Sequence, residues 1–261
     1  MKTEDWLAEG NLTEAIAQAD RDVSEDPQNA SLSFLLFELL VLAEDFDAAF
    51  DRLRDVALAD SRLSEVAEFY FGILNAERSR YNFLSQIQGA PQALQEPPAY
   101  GAKFINALGL LWESRIEEAE VLLDEAWKEV PKLSGILDGE EFREIRDADD
   151  IIGPFLEAVI PEGYFWIPFE HIKRIEFKER QGYQDTIWLP AYIEMKGGIQ
   201  GDLWIPSLYS GTGIKDDVLR LGQMTAWEYP SEKIGRVYGQ RDIACDKKLI
   251  GIRQISTILF G

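Results

Sequence analysis

Histidine and cysteine are almost missing from this chain of 261 residues, which has one of each, His171 and Cys245, and three methionines. A single cysteine excludes an internal disulfide and a cysteine-ligated metal cluster. A single histidine excludes paired-histidine metal motifs of the HExxH kind. Any Ser/His/Asp arrangement would need His171 as its base, and no GxSxG segment supplies the serine. A thiol dyad of His171 with Cys245 has no local sequence support, so His171 reads as a partly buried strand residue. Basic residues are also scarce, 26 against 47 acidic ones, for a net charge of −21. A field of that sign repels phosphate backbones and anionic lipid head groups, which argues against nucleic acid and membranes as partners. Long apolar runs are missing too. The longest, around Leu32 to Ala43, is broken by Ser33 and Glu38 and is too short to span a bilayer. The first residues, Met1 to Trp6, lack the basic-then-apolar layout of a signal peptide. The expected compartment is the cytoplasm.

What is present is unevenly placed. Residues 1–159 hold 34 acidic and 13 basic side chains, and residues 160–261 hold 13 of each. The whole excess sits on the first part, where it keeps the surface soluble and would attract a basic partner segment. The same part carries a repeat. Gly10 to Ala15 is echoed by Glu44 to Ala49, and Leu12 to Phe46 is a step of 34 residues, the tetratricopeptide (TPR) length. A third copy runs from Trp112 to Ala119, and Ala119 stands as far from Pro131 as Ala15 does from Pro27. In each copy a polar turn ends one helix and a small Ala lets the next pack closely. In the first and third a Pro stops the second helix.

Helices are expected at about 3–9, 12–24, 29–43, 46–59, 63–80, 99–112, 116–129, 140–147 and 151–158, with Gln88 to Pro98 as an interrupting loop. Stacked helix pairs present a concave surface suited to an extended peptide or a partner helix. Phe34, Phe37, Tyr70 and Phe71 are expected to pack between helices.

From about Ile160 the pattern changes to short β-branched and aromatic runs with glycines between them. Strands are expected at Phe165–Ile167, Ile172–Phe177, Thr186–Leu189, Ala191–Met195, Asp202–Ile205 and Ile252–Leu259, with one helix near Lys215–Leu221. Trp-x-Pro recurs three times, in Trp166-Ile167-Pro168, Trp188-Leu189-Pro190 and Trp204-Ile205-Pro206. Proline cannot donate into a sheet ladder, so each copy marks a strand end or an edge, and its Trp supplies buried area to a barrel-like core. The expected fold is therefore multidomain α and β. A TPR-like helical repeat array over 1–159 precedes a β-rich α+β domain over 160–261.

Chemistry is thinly represented. Ser210-Gly211-Thr212-Gly213-Ile214-Lys215 has glycines and a lysine but not the spacing of a phosphate loop, and is read as a flexible loop leading into a helix. Asp147, Asp149 and Asp150 cluster without EF-hand spacing and are read as a solvated helix end. No cofactor, metal or small-molecule substrate is expected.

Five blocks carry a more specific signal: Gly163 to Pro168, Asp185 to Ala191, Leu203 to Tyr209, Leu221 to Trp227 and Gly239-Gln240-Arg241. In order and spacing they resemble the ImpE family, also called TagJ, accessory proteins of bacterial type VI secretion. Ala226 stands where the family carries an acidic residue, so no carboxylate role is carried over to it. The resemblance implies a non-enzymatic adaptor. Its partner would be a helix of the small subunit of the contractile sheath (TssB-like), and it would assist disassembly by the ATPase ClpV. The candidate partner-binding or family-motif residues are Trp166, Pro168, Trp188, Trp204, Pro206, Tyr209, Trp227, Gln240 and Arg241. Arg241 is singled out because one guanidinium can lock several carbonyls or a carboxylate, with Asp185 or Asp242 as its expected neighbours. The alternatives are a hydrolase using carboxylates of the β half, such as Asp185 or Asp202, and a self-assembling structural subunit.

Overall fold

Three tight turns organise the helical part. Gly10, Glu44 and Ser114 all take a left-handed backbone, with φ of 76°, 56° and 58°. At each, two backbone amides reach back into the helix just ended. Gly10 N donates to Leu7 O and Asn11 N to Trp6 O; Glu44 N to Val41 O and Asp45 N to Leu40 O; Ser114 N to Leu111 O and Arg115 N to Leu110 O. This is the Schellman cap, which satisfies carbonyls that a helix end leaves bare. The helix that follows each turn is 14 residues long and buries an alanine completely: Ala15, Ala49 and Ala119.

The computed structural model describes residues 2–59, 61–85, 88–180 and 182–261. Its helical part comprises α1 (Thr3–Ala8), α2 (Leu12–Glu25), α3 (Ala30–Leu42), α4 (Phe46–Ala59), α5 (Ser64–Leu84), α6 (Ala99–Trp112) and α7 (Ile116–Glu129). The strands begin at β1 (Gly135–Leu137), β2 (Glu140–Phe142), β3 (Ile145–Asp147) and β4 (Phe155–Ile160). The helices expected at 140–147 and 151–158 are thus strands and turns. Phe155, Glu157 and Val159 face one way and Leu156 and Ala158 the other, a period of two rather than 3.6. The chain continues through β5 (Gly163–Pro168), β6 (Ile172–Phe177), α8 (Gln184–Ile187), β7 (Trp188–Met195), β8 (Gln200–Pro206) and α9 (Asp217–Arg220). It ends with β9 (Thr225–Ser231), β10 (Ile234–Gly239), β11 (Asp242–Cys245), β12 (Lys248–Gly251) and β13 (Thr257–Phe260). The fold is mixed α and β.

The main sheet has the order β2-β1-β13-β6-β7-β8-β4-β5, with antiparallel pairing throughout. A three-stranded sheet, β12-β11-β3, and the β9–β10 hairpin complete the β part. One face of the main sheet, carrying Leu156, Phe165, Ile167, Leu189, Ile193 and Ile205, builds a core with β13 and β11. The other face, carrying Phe155, Val159, Tyr164, Trp166 and Trp188, merges with the helices into a single core. Trp166 and Trp188 therefore do not fill a barrel; they join the sheet to the helical part. Helix α5 lies directly on β4 and β5. Its Gly72 is so close to Pro161 that an added Cβ would sit 2.7 Å from the Pro161 Cα.

Candidate functional site

Two of the three Trp-x-Pro copies pair with each other. In the β7–β8 register Trp188 lies opposite Pro206 and Pro190 opposite Trp204, so strand alternation puts both tryptophans on the helix side. The Trp188 ring lies 6.3 Å from Phe37 and 6.2 Å from Tyr70, and Trp204 meets Phe69 edge-on at 4.7 Å. The third copy ends the outer strand β5, where Trp166 stacks on Phe155 and Pro168 is buried before a 3-10 turn. That turn, Phe169–His171, holds His171, whose Nδ1 has no hydrogen-bond partner among the described residues. The inner aromatic surface of the helical array is thus covered in large part by the chain's own β part.

Beneath these rings lies a buried set of charges. Arg241, 0% exposed, donates from Nε to Pro206 O (2.9 Å) and from Nη1 to Asp147 Oδ2 (2.5 Å); Nη2 pairs with Glu157. Its guanidinium also lies over the Tyr209 ring at 4.8 Å, and Tyr209 donates its hydroxyl to Asp147 Oδ1 (2.8 Å). Arg80 of α5 donates to Glu157 Oε1 (3.0 Å) and to Leu208 O (2.7 Å) and pairs with Glu77. The other Glu77 oxygen accepts from Trp188 Nε1 at 3.0 Å. Tyr164 donates to Glu157, and Trp166 donates to Tyr164. Burial alone would raise the Glu157 carboxyl, but Arg80 and Arg241 together hold it at about 2. Asp147 goes the other way: burial outweighs Arg241 and pushes it up to about 6. Asp149 extends the set by accepting from Arg236 Nε (2.8 Å) and Val237 N (3.0 Å).

Asp147 and Asp149 are therefore interior anchors rather than a solvated helix end, and Asp150 accepts from Arg146 and from Gly235 N. Arg241 meets Asp147 and Glu157 rather than Asp185 or Asp242. Gln240 and Trp227 lie outside the charged set. Gln240 bridges to Leu208, and half-buried Trp227 stacks with Tyr229 on the hairpin. Sequence reasoning found Tyr209 and Arg241 but missed Glu77, Arg80, Glu157 and Tyr164. The available signal was a charge at an apolar position: Glu157 stands between Phe155 and Val159 on the same face of β4.

The set is closed. Beside Glu77 and Arg80 there is a cavity of 30 Å³, about the size of a water. Among the described residues no group of three His, Cys, Asp or Glu side chains is arranged to hold a metal. Asp202 is exposed and paired with Lys178 at 2.7 Å. Burial pushes the Cys245 thiol up, away from the reactive thiolate. Chemically the arrangement is a clamp, fastening α5 to β3, β4, β7 and the segment around Arg241.

The glycine loop is held as well. Glu44, at the second repeat turn, accepts from Gly211 N (2.7 Å) and Gly213 N (3.0 Å). The backbone cradle that resembles a phosphate loop is filled by a carboxylate of the helical part. Thr13 and Asp217 add a further pair of contacts beside it.

Open to solvent on the helical side is an apolar groove of 360 Å³ between α3, α4 and α5. It is lined by Phe34, Leu35, Val56, Leu63, Val66 and Tyr70, with Val66 43% exposed. Glu38 also lines it. Burial pushes that carboxyl up to about 8 against the lowering effect of Gln184 N–H, and the charge of Asp185 adds to the rise. Among the described residues no helix is long and apolar enough to cross a membrane.

Comparisons with known proteins give likenesses of three kinds. The profile of the family described as ImpE protein matches residues 139–259. A type VI secretion system accessory component, TagJ of Pseudomonas aeruginosa, is 28% identical over 229 residues, covering 87% of this chain and 81% of the relative. The crystal structure of protein VPA1032 from Vibrio parahaemolyticus superposes with a TM-score of 0.92 over 99% of this chain and 97% of that one. At 20% identity that last likeness speaks to fold alone.

Proposed function

This chain belongs to the ImpE family, and on that basis we propose that it is an accessory protein of type VI secretion that works by binding other proteins rather than by turning over a substrate. The observation that carries the reading is the identity to the Pseudomonas aeruginosa accessory component over most of both chains. The interior supports it physically. Asp147 and Glu157 are locked in a closed clamp, which suits a rigid scaffold better than a catalytic cleft. The partner we propose is a helix of the sheath small subunit, presented to the ClpV ATPase for disassembly in the cytoplasm.

The apolar groove between α3, α4 and α5 is the seat we propose for that helix. Helices dock by laying an apolar stripe into such grooves. The surrounding excess of acidic residues in 1–159 favours a helix with basic flanks. The three repeated turns support reading this part as a TPR-like array, although its inner face is largely taken up by Trp188 and Trp204.

The test is calorimetric titration of the full chain with the sheath small subunit of the same organism, then with that subunit's isolated N-terminal helix. Saturable binding that survives moderate salt is expected. Val66→Asp is expected to weaken it by at least about tenfold, the loss of one well-placed apolar anchor, with the thermal midpoint unchanged. Absence of binding to either form by a folded protein would remove the sheath from the reading. Binding that Val66→Asp leaves intact would remove the groove.

A further inference from the structure

One cavity away from both the clamp and the groove is unusual for its charge. It measures 460 Å³ and lies between the end of β6, the start of β7 and the 3-10 turn Ile252–Gln254. Its polar wall is Lys178, Glu179, Arg180, Arg253, Gln254 and Ser256, three cations against one carboxylate in a chain where acids outnumber bases 47 to 26. Lys178 is already matched by Asp202. Arg180 is exposed and has no carboxylate partner among the described residues.

Arg253 is half-buried, and among the described residues its hydrogen-bond acceptors are all neutral. It donates to Ser207 Oγ (3.0 Å), Leu221 O (3.2 Å) and Gly222 O (3.3 Å). Burial lowers its proton affinity, and the positive charge of Arg180 lowers it further. Every other deeply placed arginine described above (Arg80, Arg236 and Arg241) has a carboxylate against it.

We propose that this pocket binds a small oxyanion ligand, with a phosphate or carboxylate group seated between the guanidinium groups of Arg180 and Arg253. A partly desolvated cation without a counter-charge is unfavourable, and an anion from solution supplies what the chain does not. Arg253 is held by Ser207, Leu221 and Gly222, which take Nε, Nη1 and one N–H of Nη2, so the guanidinium is oriented before a ligand arrives and offers it its charge and the remaining Nη2 N–H. Arg180, exposed at the end of β6, is free to close on the other side. Gln254 and Ser256 add neutral donors at the wall. The volume lies in the range of small-molecule sites, roughly 300–1,000 Å³, so the ligand carries more than a bare anion. The site is independent of the proposed sheath contact.

The experiment is calorimetric titration of the full chain, at fixed ionic strength, with pyrophosphate and with citrate, repeated on Arg180→Ala and Arg253→Lys. At least one probe is expected to bind saturably at one site per chain. Each variant is expected to weaken it by about tenfold or more, as loss of a charge-assisted hydrogen bond should. Arg180→Ala should leave the thermal midpoint without probe where it was, because Arg180 is exposed. Binding of pyrophosphate alone points to a phosphate-bearing ligand, citrate alone to a polycarboxylate, and both to a general oxyanion site. Heat from neither probe, or binding that Arg180→Ala leaves unaltered, overturns the proposal.

Discussion

At the residue scale the most consequential side chain is Arg241, because three acceptors from different parts of the chain converge on one guanidinium. Removing one partner of a buried charge set costs about 3–5 kcal/mol, since the remaining charges are left without compensation. Arg241→Met is therefore expected to lower unfolding free energy by about that much in urea titration. A loss below about 1 kcal/mol would show that the clamp is not structural. Glu157 and Glu38 make opposite pH statements. Glu157, at about 2 in the folded state, contributes stability that is complete above the ordinary unfolded value and is lost as pH falls from there through 2. Glu38, at about 8, holds its proton when folded and gives it up when unfolded, so its contribution is present at acid pH and fades as pH rises through 8. Unfolding titrations across pH should show Glu157→Gln flattening the acid limb and Glu38→Gln the alkaline one; exchange of these two effects would mean the signs are wrong. The sequence made Arg241 and Tyr209 legible through their motif blocks. Glu77 and Arg80 were not legible, because a buried charge looks in sequence like a solvent-facing one until its partners are known, and the signal at Glu157, a charge between two apolar residues of one strand face, could be read only once 155–160 was recognised as a strand. Asp147 and Asp149 were misread for the same reason.

At the scale of elements, the seven N-terminal helices were readable to within a few residues because the 34-residue spacing, the caps and the prolines agree with one another. Residues 140–158 were misread because short strands with buried Asp and Glu lack a clean apolar alternation. The β9–β10 hairpin and β11–β12 went unseen; β9 is half-exposed, with its polar residues Thr225, Glu228 and Ser231 three apart, so it has neither strand alternation nor a buried face of its own. The turn at Glu44 is the element most open to test. Glu44→Ala removes the acceptor of two backbone amides, an expected loss of about 1–3 kcal/mol, and should accelerate hydrogen exchange at Gly211 and Gly213. Glu44→Gly loses the same carboxylate but relieves the left-handed backbone, so it should be the milder change. Equal exchange rates at both glycines in wild type and Glu44→Ala would mean that the carboxylate does not hold the loop.

At the scale of the whole molecule, one apolar core runs through α1–α7 and the helix-facing side of the sheet. The 1–159 and 160–261 division drawn from composition therefore does not coincide with a gap in packing. Calorimetry is expected to give a single cooperative transition for the full chain. Two resolved transitions would mean that the shared core does not couple the parts.

The placement of helices on one side of the sheet also makes the molecule an electric compass. Residues 1–130, which hold the seven helices, carry 26 acidic and 10 basic side chains, and residues 131–261 carry 21 and 16, so the negative charge is weighted towards the helical side and gives the molecule a dipole. Near a positively charged assembly the torque on that dipole turns the helical pole inward before any contact forms. The sheet pole, with its smaller acidic excess and exposed arginine, is left pointing away, so a second molecule arriving from solution meets a chemically different surface from the one already engaged.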